Sequence, residues 1–169
     1  AGGRVLYQGF GHQQMLLPTK PRGQLLKWVG NKYRYAHTIT SFFPDKYNTY
    51  IEPFVGTGAV LATLAPKKAI AGDVLTPLIE ILKLLQNEPQ ALIDYYTKVI
   101  GSFNQDREKK YSEILKKYNI SPNGLDLLIL SRTCYGGVVR FTKEGTMSTP
   151  IGPHKPMGPE TFAAIVMEW

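Results

Sequence analysis

One stretch constrains this chain more than any other. Tyr50-Ile51-Glu52-Pro53-Phe54-Val55 is apolar and β-prone, and it breaks at Gly56-Thr57-Gly58. Ala59 to Leu64 reads as a helix ended by Pro66, and Ala69 to Val74 as a second short strand. Leu78, Ile81, Leu82 and Leu85 fall at i, i+3, i+4 and i+7, the spacing of an amphipathic helix. Strand, glycine turn, helix, strand, helix is the order of a parallel α/β sheet, because parallel strands need a crossover connection. The expected fold class is therefore α/β.

The turn itself narrows the chemistry. Glycines after a strand let the backbone bend tightly and let a ligand approach. Asp73 ends the next strand, where an acid in a nucleotide-binding sheet accepts hydrogen bonds from ribose hydroxyls. No Gly-Lys-Ser/Thr follows, which speaks against an ATPase. Leu61 stands where a dinucleotide fingerprint has its third glycine, so an NAD-dependent enzyme fits less well. An ordinary tight turn is the plain alternative. The strand before it and Asp73 after it favour an adenosine-type ligand.

Further along, the chain turns helical. Leu92, Tyr95, Tyr96 and Val99 give one apolar face, and Tyr111, Ile114, Leu115 and Tyr118 give another. Arg107, Lys109, Lys110, Lys116 and Lys117 surround the second, as a solvated face would. Pro122-Asn123-Gly124 breaks the chain, and Leu125 to Leu130 is apolar all round, as in a buried helix. After Cys134 regularity fails, and glycines, prolines and scattered basic residues make an irregular loop to residue 158. Arg34 to Phe43 reads as a helix ending before Pro44. Residues 1–22 read as a flexible arm. Residues 159–169 begin a helix, with Pro159 and Glu160 in its first turn and Phe162, Ile165 and Val166 on one face. That helix has no C-cap signal, and the expectation is that another segment or polypeptide completes it.

Composition sets outer limits. The formal charge of +7 favours an anionic partner. An apolar fraction of 43% excludes a disordered chain. No apolar run is long enough to span a bilayer, so no membrane partner is expected. Cys134 is the only cysteine, which excludes a disulfide framework and fits a reducing cytoplasm. His12, His37 and His154 lack metal-ligand spacing, so no metal site is expected.

Three blocks become informative together. Leu26-Lys27-Trp28-Val29-Gly30-Asn31-Lys32 lies upstream, Ile51 to Val60 holds the glycine turn, and Arg132-Thr133-Cys134-Tyr135-Gly136-Gly137-Val138-Val139-Arg140 leads to Thr149-Pro150-Ile151-Gly152. In this order the set resembles the Dam-like, alpha-class family of adenine-specific DNA methyltransferases, over about residues 25–155. The resemblance implies a Rossmann-like sheet, incomplete in this chain, with a helical DNA-recognition insertion. It implies S-adenosylmethionine as cofactor and the exocyclic amine of a flipped adenine in double-stranded DNA as methyl acceptor. Residues 23–87 would be the cofactor-binding part and 88–158 the target-recognition insertion, with 159–169 returning to the catalytic domain. Trp28, Lys32, Glu52, Phe54, Gly56, Gly58 and Asp73 would hold the cofactor. Arg132, Tyr135, Gly136, Arg140, Pro150 and Lys155 would face DNA.

The chain departs from the family pattern in places. Gly136 stands where the family commonly has Asn after the Tyr, and Pro153 stands at a position where a phosphate-contacting basic residue occurs. No Asp-Pro-Pro, Asn-Pro-Pro or Ser-Pro-Pro is present, so the family's catalytic Asp-Pro-Pro-Tyr tetrad is missing. The expected function is the cofactor-binding and DNA-recognition portion of an adenine-N6 methyltransferase of the restriction-modification kind. A second segment would carry the tetrad, and the chain alone would be inactive. The alternative is a non-catalytic DNA-binding module or regulator derived from such an enzyme.

Overall fold

The structure, a computed structural model, describes residues 3–8, 20–103 and 106–169. Its sheet has three strands, Gly3–Gln8 (β1), Tyr50–Glu52 (β2) and Lys68–Asp73 (β3), in the order β1-β3-β2. β2 and β3 run parallel, with Tyr50 opposite Ala69 and Glu52 opposite Ala71. Helix α2 (Ala59–Leu64) connects them; α1 (Ala36–Thr40) precedes β2. The parallel pair and its helical crossover are those expected from the sequence. β2 is shorter than the stretch 50–55, because Pro53 has no N–H to continue the ladder. Val55 still donates to the Gly72 carbonyl at 2.8 Å, so the chain stays beside β3 as it enters the turn.

Within the stretch read as an arm, β1 lies antiparallel along β3, from Gly3 opposite Asp73 to Gln8 opposite Lys68. Residues 1–2 and 9–19, His12 among them, lie outside the described residues. The helix expected over 34–43 narrows to Ala36–Thr40 (α1), after a 3₁₀ turn at Lys32–Arg34. Asn31 caps that turn by accepting the Tyr33 N–H at 2.8 Å. Thr38, Ile39 and Thr40 are β-branched and sustain a longer helix poorly.

Four helices build the larger core. They are Thr76–Asn87 (α3), Pro89–Phe103 (α4), Arg107–Ile120 (α5) and Gly124–Thr133 (α6). α6 is the central one: Leu127, Leu128, Ile129 and Leu130 are all fully buried, as expected of an apolar helix, and Asp126 in the same run is buried with them. Gly124 opens it against α3. A Cβ there would lie 2.9 Å from the Glu80 Cβ and 3.0 Å from the Pro77 carbonyl oxygen, so only glycine allows this approach. The Gly124 N–H donates to Glu80 Oε2 at 2.7 Å. Pro159–Glu168 (α7) packs on α4, with the Phe162 ring stacked 4.0 Å from that of Tyr96. Leu25, Leu26, Leu78 and Ile81 share one core with Leu92, Tyr96, Tyr111 and Leu127. The boundary read near residue 88 therefore separates no two cores. A second, smaller cluster of Val55, Ala71, Ile79 and Leu82 fastens α3 to the sheet. Among the described residues no helix is long and apolar enough to cross a membrane.

Candidate functional site

The glycine turn sits just past the carboxyl ends of β2 and β3. Gly56 and Gly58 have φ of +52° and +77°, a region that favours glycine. Asp73 staples the turn: its Oδ2 accepts the Gly56 N–H and its Oδ1 the Leu75 N–H, each at 3.0 Å. Each oxygen keeps a further lone pair. Phe54 is 85% exposed in front of the turn, and Val74 is similarly bare after β3. Two apolar side chains thus flank a carboxylate at the mouth of the sheet.

Glu52 lies one step behind Pro53 and is largely enclosed. Burial pushes its carboxyl up to about 7, while hydrogen bonds from Tyr50 and the Leu61 backbone pull the other way. Its Oε2 is buried with no hydrogen-bond partner among the described residues. Upstream, Trp28 is half-buried against the larger core. Asn31 N–H donates to the Trp28 carbonyl at 3.3 Å across a turn in which Gly30 has φ +74°. Lys32 is exposed, with its Nζ donating to the Gly30 carbonyl at 2.8 Å. The Lys32–Arg34 turn packs beside α2, and so beside the glycine turn. Trp169 ties these parts together. Its Nε1–H donates to the Gly23 carbonyl at 2.6 Å, its ring stacks on Tyr33, and its edge reaches Gly58.

The second group of residues follows α6. Tyr135 is exposed, and its N–H donates to the Pro150 carbonyl at 2.8 Å, which brings these two expected residues together. Gly136 and Gly137 both have positive φ, +63° and +64°. Gly152 passes so close to Cys134 that a Cβ would stand 2.9 Å from its carbonyl oxygen. The Cys134 thiol is buried and pushed up to about 11. Residues 140–148 form a small β-ribbon, bridged at Phe141 and Met147, with Arg140 exposed. A cavity of about 360 Å³ opens between Lys27, the Gly136-Gly137 backbone, His154 and Lys155, and no carboxylate lines it.

Arg132, expected to face DNA, is also bonded to the chain's own backbone. Its Nη1 donates to the carbonyls of Gln24 and Leu25, both at 2.7 Å, and its guanidinium lies over the Phe162 ring. It also lines the cavity shared by Lys27, His154 and Lys155.

Other residues carry work that the sequence hides. Arg107, read as part of a solvated basic face, donates to the carbonyls of Gly152, Pro153 and His154 at 2.6–3.3 Å, and so shapes the loop that carries Lys155. Lys117, read in the same way, pairs with Asp126 Oδ2 at 3.1 Å. Asp126 is fully buried and also accepts hydrogen bonds from Tyr95 and Asn123. Asn119 and Tyr111 reach the ribbon backbone. Arg107, Asn119 and Tyr111 carry no local mark, since their partners lie 28 to 47 residues away.

The model of the D12 class N6 adenine-specific DNA methyltransferases matches residues 28–157, most of the described chain. A DNA adenine methylase of Vibrio cholerae serotype O1 is 32% identical over 146 residues, covering 83% of this chain and 52% of the relative. The Type II methyltransferase M.MjaIII of Methanocaldococcus jannaschii is 31% identical over 150 residues, covering 77% of this chain and 52% of the relative. A DNA adenine methylase of Haemophilus influenzae is 26% identical over 147 residues, with 85% and 51% covered. The chain spans about half the length of these curated relatives. With its match running from the upstream turn through the glycine loop to the irregular basic loop, the chain belongs to the family of D12 class N6 adenine-specific DNA methyltransferases.

Proposed function

We propose that this chain supplies the cofactor-binding and DNA-reading parts of a site-specific DNA adenine-N6 methyltransferase that uses S-adenosylmethionine. The observation that carries the reading is the Asp73 staple on the glycine turn, at the mouth of a parallel strand pair, in a member of this family. The donor set fits the cofactor. Asp73 has lone pairs left for ribose hydroxyls, the buried and unpartnered Oε2 of Glu52 suits a cationic group, and Phe54 offers an apolar face to a base. Trp28 and Lys32 are assigned to the same site from the family pattern, and Gly56 and Gly58 allow close backbone approach.

When bound, S-adenosylmethionine supplies an electrophilic methyl group on a sulfonium. The chain's own residues bind and orient. Tyr135, Gly136 and Pro150 form one wall facing DNA, Arg140 reads a base edge, and Lys155 contacts a phosphate. Extruding the target adenine costs a few kcal/mol, which such contacts offset. The groups that accept the amine's hydrogens belong to an Asp-Pro-Pro-Tyr segment that completes the site. The Rossmann-like sheet and the recognition insertion are part of this proposal.

Labelled cofactor and adenine-containing duplex test it. The completed protein should form N6-methyladenine in DNA, and the 169 residues alone should not. Robust transfer by the isolated chain would refute the need for a completing segment. Calorimetry that finds no S-adenosylmethionine binding by the completed protein would overturn the cofactor reading. Arg140→Ala should relax sequence choice, whereas Lys155→Ala should weaken all duplexes alike and flatten the salt dependence.

A further inference from the structure

The ribbon at residues 140–148 is too small to hold its own shape, since an isolated two-stranded hairpin is marginal in water. Its two strands are joined by Thr142 N–H to the Thr146 carbonyl at 2.9 Å and Ser148 N–H to the Arg140 carbonyl at 3.0 Å. Phe141 and Met147 face each other between these bonds, so Met147's own N–H and C=O point away from the opposite strand. They point at α5. Met147 N–H donates to Asn119 Oδ1 at 2.9 Å, and Asn119 Nδ2–H donates to the Met147 carbonyl at 3.0 Å. One amide side chain thus supplies both halves of a ladder rung, as a third strand would.

A second tie lies eight residues back on the same helix, about 12 Å along its axis. The Tyr111 hydroxyl donates to the Thr149 carbonyl at 2.6 Å. Thr149 in turn closes the base of the ribbon: its hydroxyl accepts the Arg140 N–H at 2.9 Å and donates to the Val138 carbonyl at 2.7 Å. Two ties a known distance apart fix the tilt of the ribbon against the helical core. Alternation then decides its faces. Met147 is buried and the Phe141 ring, 37% exposed, lies 6.5 Å from that of Tyr118, while Arg140, Thr142, Thr146 and Ser148 on the other face are exposed.

We infer that Asn119 is a positioning residue for sequence discrimination: it sets the angle at which the ribbon presents Arg140 to a base edge. The inference rests on the proposed DNA-reading role of the ribbon. Asn119 touches no DNA itself. A two-pronged contact to a base demands a fixed approach, whereas a lysine on a phosphate tolerates movement. Losing the rung therefore lowers discrimination and leaves the electrostatic part of binding intact.

The test is selection of preferred sites from a pool of randomised duplexes, with the completed protein and three variants. Asn119→Leu keeps the size and removes both bonds. Asn119→Asp keeps an acceptor for the Met147 N–H and loses the donor. Ile79→Ala empties part of the small cluster that fastens α3 to the sheet, outside the core that holds the ribbon, and controls for general loss of stability. Asn119→Leu should lower enrichment of the preferred site by about tenfold, with an unchanged slope of affinity against salt. Asn119→Asp should fall between it and the parent. Ile79→Ala should lower the melting temperature and keep the preference. Hydrogen exchange at the Met147 amide should quicken in Asn119→Leu only. A parent protein with sequence preference that Asn119→Leu retains in full would overturn the inference alone. A parent protein with no preference for any sequence would overturn the DNA-reading role of the ribbon, and the inference with it.

Discussion

The mouth of the sheet and the basic loop after α6 are both irregular backbone, and they are held in opposite ways. At the sheet mouth the backbone carries its own instructions. Two glycines at positive φ and one acid across the strand pair make the turn, and the apolar side chains Phe54 and Val74 stay bare. In the basic loop the instructions come from elsewhere. Asn119, Tyr111 and Arg107 reach out of α5 to hold the ribbon and the 152–154 segment. The first region is built by local geometry and keeps two apolar side chains exposed. The second is built by side chains of a large core and is only as exact as that core.

The sharpest way to break this contrast is to loosen the core beneath α5. Asp126 is buried and accepts hydrogen bonds from Lys117, Tyr95 and Asn123. Asp126→Ala strands these donors and should cost about 3 kcal/mol of stability. Denaturant melts measure that loss. Exchange protection should drop across the ribbon while the glycine turn keeps its own. Equal loss in both regions would mean that they are one unit.

The next effect belongs to the sheet mouth. Asp73→Ala should weaken S-adenosylmethionine binding by about 1.5–3 kcal/mol, the worth of a hydrogen bond to a charged group. Calorimetry on the folded variant reads it. Asp73→Asn, which keeps one acceptor, should lose less, and an unchanged affinity in both would remove Asp73 from the site. Site selection by either variant should stay as in the parent, because the ribbon hangs from α5.

A smaller change should go the other way. Ala65 ends α2 at φ +44°, in the left-handed region where a Cβ is strained. Ala65→Gly should stabilise the protein by about 1 kcal/mol, seen as a higher melting temperature. A decrease would show that the entropy of glycine in the unfolded chain outweighs the strain.

A last effect is a trend with pH. The folded carboxyl of Glu52, at about 7, lies above its ordinary value of 4.5. Between these values the folded state holds more protons than the unfolded one, so this group's contribution to stability falls as pH rises from about 4.5 to about 7. Glu52→Gln should flatten that part of the melting profile. Parallel profiles for parent and variant would show that Glu52 titrates normally.

Much of the sheet mouth was legible because its causes are adjacent in the chain. Glycines, a proline and a run of β-formers mark β2, the turn and α2 within a few residues, and Asp73 follows from the next strand. β2 came out shorter because one proline ends the ladder. The loop after α6 was legible only as irregular and basic. The ties that shape it cross 28 to 47 residues of sequence and leave no period to detect. For the same reason the Arg107 ties to the 152–154 carbonyls and the Arg132 bonds to the Gln24 and Leu25 carbonyls leave no mark in the sequence. Resemblance to a family carries residue types forward. It does not say which way a side chain turns.

The order of the strands has one more consequence. β3 lies on one side of β2, and among the described residues the other side of β2 is bare. A strand added there would make β2 the place where the sheet's winding reverses. At such a topological switch point the connections on the two sides leave in opposite directions and part from each other, opening a crevice beyond the carboxyl ends of the strands. The turn from Phe54 to Gly58 stands at that crevice. Its location is a property of how the strands are ordered, and the glycines make it usable.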